Sequence, residues 1–139
     1  MLDNITKNKL SSYFASKPIE IVYLFGSQTE GKTKPDSDID LAVLFKKDLS
    51  EKDRSKLLIE MIADLESIMT VIKVDLIDLA KANLPLQHSA IFQRYEILNK
   101  NNKRRVLFEA EVFSRYFDYS YFINQNTSIG LPSISRMKI

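Results

Sequence analysis

Asp38-Ile39-Asp40 sets two carboxylates two residues apart at the start of an apolar run, "DIDLAVLF" (38–45). Aspartate forms strands poorly, and a carboxylate taken out of water is costly unless a cation accompanies it. In an extended chain residues i and i+2 share a face. Asp38 and Asp40 therefore project together, while Ile39 and Leu41 turn the other way, toward a core. Carboxylates so placed suit hard divalent cations, which prefer carboxylate, phosphate and water oxygens. Two such ions about 3.5–4 Å apart clamp the attacking and leaving oxygens of an in-line phosphoryl displacement. A third ligand is at hand in "VIKVDLIDLA" (71–80), where Asp75 interrupts a strand-like run. Asp78 lies three residues on, hence on the opposite face, so only one of the two can join the pair. Asp75 is favoured, because Val74 and Leu76 flank it as a core pair.

Gly26-Ser27 supplies what the acids lack. Glycine lets backbone approach a ligand closely, and N–H groups opening a helix form an anion site. The Ser27 hydroxyl can donate to a phosphate oxygen. Metal, anion cradle and carboxylates together read as nucleoside triphosphate chemistry.

These residues need rigid elements to hold them. "IEIVYLF" (19–25) is β-branched and aromatic, a buried strand, with 38–45 the second strand and 71–80 the third. Between the first two, a short helix starting at Gly26-Ser27 and ending by Gly31 leads into the turn-rich loop "KTKPDS" (32–37). Leu57, Leu58, Met61, Ile62, Leu65, Ile68 and Met69 recur at 3.6-residue spacing, predicting a helix over 50–69 capped by Ser50 or Asp53. Further helices are expected over 4–15, 84–95 and 103–122. A full helix between 38–45 and 71–80 implies a parallel crossover. The sum is an α/β (α+β) fold, a small mixed sheet flanked by helices. Residues 1–123 form the domain, and the polar 124–139 segment with its Gly and Pro reads as a flexible or partner-docking tail.

The composition narrows the class. A chain of 139 residues, 45% hydrophobic and 27% charged, is expected to be one soluble globular domain. Twenty Lys and Arg against 18 Asp and Glu give +2, too balanced to imply a nucleic-acid binder by itself. Without cysteine there are no disulfides or thiolate metal sites, and the reducing cytoplasm is the expected compartment. No apolar run approaches a membrane span, and "MLDNITKNKL" lacks a signal-peptide core. His88, the single histidine, reads as a packed or surface residue rather than a ligand. The aromatic set Phe113, Tyr116, Phe117, Tyr119, Tyr121 and Phe122 reads first as core packing and next as a partner interface. "KNNKRR" (100–105) reads as a solvated helix start.

Gly-Ser, ten residues, then Asp-x-Asp resembles the signature of the DNA polymerase β-like nucleotidyltransferase superfamily, and "PDSDIDLAV" is its usual wording. The small size and "VDLIDL" resemble the minimal nucleotidyltransferase (MNT) antitoxins, encoded beside HEPN-domain ribonuclease toxins. The resemblance is strong over 20–80. It implies Mg²⁺-dependent transfer of AMP from ATP to a hydroxyl, in this family a tyrosine of the partner toxin. By position, Asp38 and Asp40 would bind both metal ions. Asp75 would bind the catalytic one and help deprotonate the acceptor, while Gly26 and Ser27 would hold the triphosphate. "GSQTEG" departs from the "G-S-x-A-R-G" of relatives: Glu30 stands in the basic position, with Lys32 or Lys34 as substitutes or as solvated loop charges. Two other readings stand beside this one, an antitoxin that acts by binding alone and an adenylyltransferase for a small-molecule hydroxyl. A template-directed polymerase is disfavoured, since neither charge nor length provides a duplex groove.

Overall fold

The computed structural model describes residues 4–25, 39–69, 73–92 and 94–128. Its elements run α1 (Asn4–Ala15), β1 (Ile19–Phe25), β2 (Ile39–Phe45), α2 (Glu51–Met69), β3 (Val74–Asp78), α3 (Leu84–Phe92), β4 (Tyr95–Asn99) and α4 (Asn102–Ser128). The sheet order is β3-β2-β1-β4. β1 is antiparallel to both β2 and β4, and β2 is parallel to β3 across the α2 crossover.

Strand alternation gives the sheet two apolar faces. One carries Val22, Leu24, Ile39, Leu41, Val43, Val74 and Leu76, covered by Leu10 and Phe14 of α1 and Met61 and Leu65 of α2. The other carries Ile21, Tyr23, Ala42 and Leu44, covered by Ala90 and Ile91 of α3 and Val112 of α4. Helix starts are written in the sequence as side-chain caps. Ser50 Oγ accepts the Asp53 N–H at 3.2 Å, Asn83 Oδ1 the Leu86 N–H at 2.9 Å, and Asn101 Oδ1 the Arg104 N–H at 3.1 Å. Glu51 and Asp53 in the first turn of α2 complement its dipole.

The fold matches the expected mixed sheet with flanking helices and adds a fourth strand. The predicted helix over 84–95 stops at Phe92, and "YEILN" forms β4 along β1. The third strand is shorter than 71–80, described over Val74–Asp78. α4 continues past the expected end at 122 to Ser128. The predicted short helix after Gly26 and the 32–37 loop lie outside the described residues, as do residues 129–139 of the expected tail. Among the described residues no helix is long and apolar enough to cross a membrane.

Candidate functional site

The mouth of the sheet is the end where β1 finishes and where β2 and β3 begin. There the register pairs Phe25 with Asp40 and Asp40 with Asp75. Neighbouring strands lie about 4.8 Å apart, so the two aspartate backbones stand side by side. Alternation turns both side chains to the α3–α4 face, because their neighbours Ile39, Leu41, Val74 and Leu76 are buried on the α1–α2 face. Asp75 is exposed and Asp40 half-buried. Phe25, the register partner of Asp40, immediately precedes Gly26-Ser27 in the chain. Gly26, Ser27 and Asp38 themselves lie outside the described residues, as do Glu30, Lys32 and Lys34.

Asp78 goes the other way. It is buried on the α1–α2 face, where Arg54 of α2 donates from Nε to its Oδ2 at 2.8 Å. The two acids of β3 thus have separate environments, Asp75 at the mouth and Asp78 against a guanidinium. Asp40 and Asp75 offer the hard oxygen donors that Mg²⁺ prefers, at one level of adjacent strands. They fit the ion the motif implies, although the described residues hold no cluster of three potential ligands.

Behind the mouth, on the α3–α4 face, lies a polar network that the sequence pattern does not announce. The Tyr23 hydroxyl donates to Glu109 Oε2 at 2.5 Å, and Arg105 Nη1 donates to Glu109 Oε1 at 3.1 Å. Arg94 Nη1 lies 3.4 Å from the same Oε1. Burial, and then the hydrogen bond to Glu109, hold the Tyr23 hydroxyl far above its ordinary pKa. Glu109 had a signal in the sequence: it falls on the buried stripe of α4 with Val112 and Tyr116, where a lone carboxylate calls for partners.

His88 is a packed residue, as its neighbours suggested. Its ring stacks on Tyr116 at 3.6 Å between centres and meets Phe113 edge-on at 5.6 Å. Burial pushes its pKa down. The aromatic set of α4 departs from the core reading: Tyr116 is buried, but Phe117 is 72% exposed and Tyr121 and Phe122 each 61%. A helix of 27 residues, about 40 Å long, carries these rings past Tyr116, the last buried residue among those described. Two cavities open at the far end of the sheet. One of about 610 Å³ is lined by Glu20, Lys46, Lys103 and Arg104, and one of about 370 Å³ lies beside Arg54 and Asp78. Neither touches the paired aspartates.

The family model for polymerase beta nucleotidyltransferases matches residues 8–103. Among solved structures, a toxin–antitoxin with AMP-PNP is similar over 91% of this chain and 95% of that chain, at 26% identity and a TM-score of 0.66. The toxin–antitoxin MntA-HepT matches over the same shares, at 23% identity and a TM-score of 0.66. A tri-AMPylated Shewanella oneidensis HEPN toxin in complex with MNT antitoxin matches over 92% of this chain and 95% of that chain, at 24% identity and a TM-score of 0.63. The latter two similarities establish likeness of fold alone. No curated protein matches this chain.

Proposed function

This chain belongs to the polymerase beta nucleotidyltransferase family, and we propose that it is an MNT-type antitoxin that transfers AMP from ATP to a tyrosine hydroxyl of a HEPN ribonuclease. The observation that carries the reading is the side-by-side register of Asp40 and Asp75, exposed toward one face at the mouth of the sheet. Asp38, Asp40 and Asp75 would hold two Mg²⁺ ions. When bound, these supply Lewis-acid stabilisation of the charge that develops on the phosphate oxygens. Gly26 and Ser27 hold the triphosphate by backbone N–H groups and a hydroxyl. Asp75 accepts the proton of the incoming tyrosine. The tyrosine oxygen bonds to the α-phosphorus as the bond to the β-phosphate oxygen breaks, and pyrophosphate leaves.

A protein acceptor suits this chain. Its sheet and four helices leave no second lobe among the described residues to enclose a small substrate. The exposed Phe117, Tyr121 and Phe122 of α4 give a partner an apolar surface instead. AMP on a tyrosine removes a free hydroxyl and adds bulk and charge, enough to disable a nuclease that uses that region. The test is intact-mass spectrometry of the co-encoded partner after incubation with ATP and Mg²⁺. Added AMP units with the wild type and none with Asp40→Asn are expected. An unchanged partner mass, with the toxin still silenced in the complex, would mean inhibition by binding alone.

A further inference from the structure

The row that contains Asp75, Asp40 and Phe25 continues across the sheet. Leu24 pairs with Tyr95 of β4, and extending that antiparallel register by one residue sets Arg94 opposite Phe25. Side-chain direction follows from alternation. Tyr95 packs with the α1–α2 cluster, and Lys7 Nζ lies 3.9 Å from its ring centre. Arg94 therefore turns to the α3–α4 face, the face of Asp40 and Asp75. Its contacts agree, since Nη1 donates to the Ile91 carbonyl at 3.1 Å and faces Glu109 of α4.

Charge counting picks out this arginine from its neighbour. Glu109 takes the Tyr23 hydroxyl and Arg105 at hydrogen-bond distance, with Arg94 at the longer 3.4 Å. One carboxylate thus faces two guanidinium groups. The surplus positive charge sits on Arg94, whose side chain is 34% exposed against 19% for Arg105. A guanidinium presents five N–H donors in a planar fork, and both described contacts of Arg94 run through Nη1. Two strand spacings, about 9.6 Å, separate Arg94 from Asp40. That is a gap a chain of phosphates bridges.

We infer that Arg94 is a phosphate-binding residue of the nucleotide site, reaching the triphosphate across the mouth from the aspartates while Glu109 fixes its position. The inference rests on the nucleotidyltransferase reading and deepens it. It also accounts for Glu30 in "GSQTEG": the positive charge missing from that stretch enters from Arg94, the residue ahead of β4. Such a contact is bidentate and phosphate-directed, so it strengthens binding of the triphosphate and leaves the nucleoside alone.

Calorimetry on the full chain with Mg²⁺ and AMP-PNP tests this, using wild type, Arg94→Gln, Arg94→Lys and Arg105→Gln, each checked by thermal melting. Loss of a charged hydrogen-bond donor predicts at least about tenfold weaker AMP-PNP binding for Arg94→Gln. Arg94→Lys should recover part of it, and Arg105→Gln should stay within about threefold of wild type. Adenosine, displacing a fluorescent nucleotide, should compete equally with wild type and Arg94→Gln. Equal AMP-PNP affinity, equal losses for adenosine and AMP-PNP, or a loss in Arg105→Gln matching that of Arg94→Gln would overturn the assignment. If Arg94→Gln does not fold, Arg94→Lys decides: unchanged AMP-PNP binding overturns the fork contact, and weakened binding with unchanged adenosine competition supports it. A wild type that binds no AMP-PNP would instead remove the nucleotidyltransferase reading on which the inference stands.

Discussion

At the far end of the sheet Asp78 and Glu20 each sit against an arginine, Arg54 at 2.8 Å and Arg104 at 2.7 Å. At the mouth, Asp40 and Asp75 have each other as strand partners, and among the described residues no ion pair reaches Asp75. Like charges directly opposite in a sheet are destabilising. At the mouth two carboxylates stand as strand neighbours, an arrangement that a divalent cation can stabilise. A carboxylate thus serves packing at one end and, on the proposed function, holds cations at the other. The difference lies in what faces it.

The largest effect should come from removing charge at the mouth. Asp40→Asn keeps the side-chain volume but weakens the hold on the cations, so AMP transfer should fall by more than about 10²-fold. Thermal melting should show that the variant still folds, since the amide keeps the volume of the carboxylate. An unfolded variant would make Asp40 a structural acid, and near wild-type transfer would reject its role.

The two acids of β3 allow the contrast to be tested within one strand. Asp75→Asn should reduce transfer by about 10²-fold with little change in urea midpoint. Asp78→Asn should do the opposite. It leaves Arg54, a fifth exposed, without its carboxylate, at about 1–3 kcal/mol of stability, below the range for a fully buried pair. The folded fraction should retain transfer. Reversed effects would mean that the faces of β3 are assigned the wrong way round.

A smaller effect is expected from withdrawing the cation. Without Mg²⁺ the carboxylates of the mouth repel the triphosphate, so chelator should weaken ATP binding at least about tenfold by calorimetry. Equal affinity with and without chelator would end the metal reading and erase the contrast between the two ends.

Much of this contrast is legible in the amino-acid sequence itself. The two-residue spacing of Asp38 and Asp40 and the three-residue spacing of Asp75 and Asp78 translate into faces as soon as their segments are read as strands. Val74 and Leu76 then say which face is core. The edge strand is not legible in the same way. "YEILN" has only Ile97 and Leu98 as an apolar run and follows directly on helical signals, so periodicity alone extends the helix through it. The polar network around Glu109 is hidden for the same reason. Its members come from β1, α4 and Arg94 just ahead of β4, and without β4 there is nowhere to place Arg94. The exposure of Phe117 and Tyr121 also escapes the pattern, since a ring on a helix reads as core until the helix is seen to run past the sheet that would bury it.

The finest test concerns Glu20, which belongs to the paired end of the molecule. Its Oε2 accepts from Asn101 Nδ2 at 2.7 Å and its Oε1 from Arg104 Nη1 at 2.7 Å. The Asn101 bond lowers its pKa most; burial opposes this, and the hydrogen bond and charge of Arg104 add to the lowering. In the folded state Glu20 therefore titrates below its ordinary value of 4.5. Between those two values the unfolded chain binds more protons than the folded one, so stability falls as pH falls. The contribution is fully present above pH 4.5 and disappears as the pH drops through the folded value. Urea midpoints at about pH 6, 4.5 and 3 for wild type and Glu20→Gln resolve it. The variant should be the less stable at about pH 6 by less than about 1 kcal/mol, because the pair is partly solvated. That gap should narrow as the pH falls through the folded-state value, below which the wild-type carboxyl is protonated and resembles the amide. A gap that stays constant across the range would mean that Glu20 contributes through packing rather than charge.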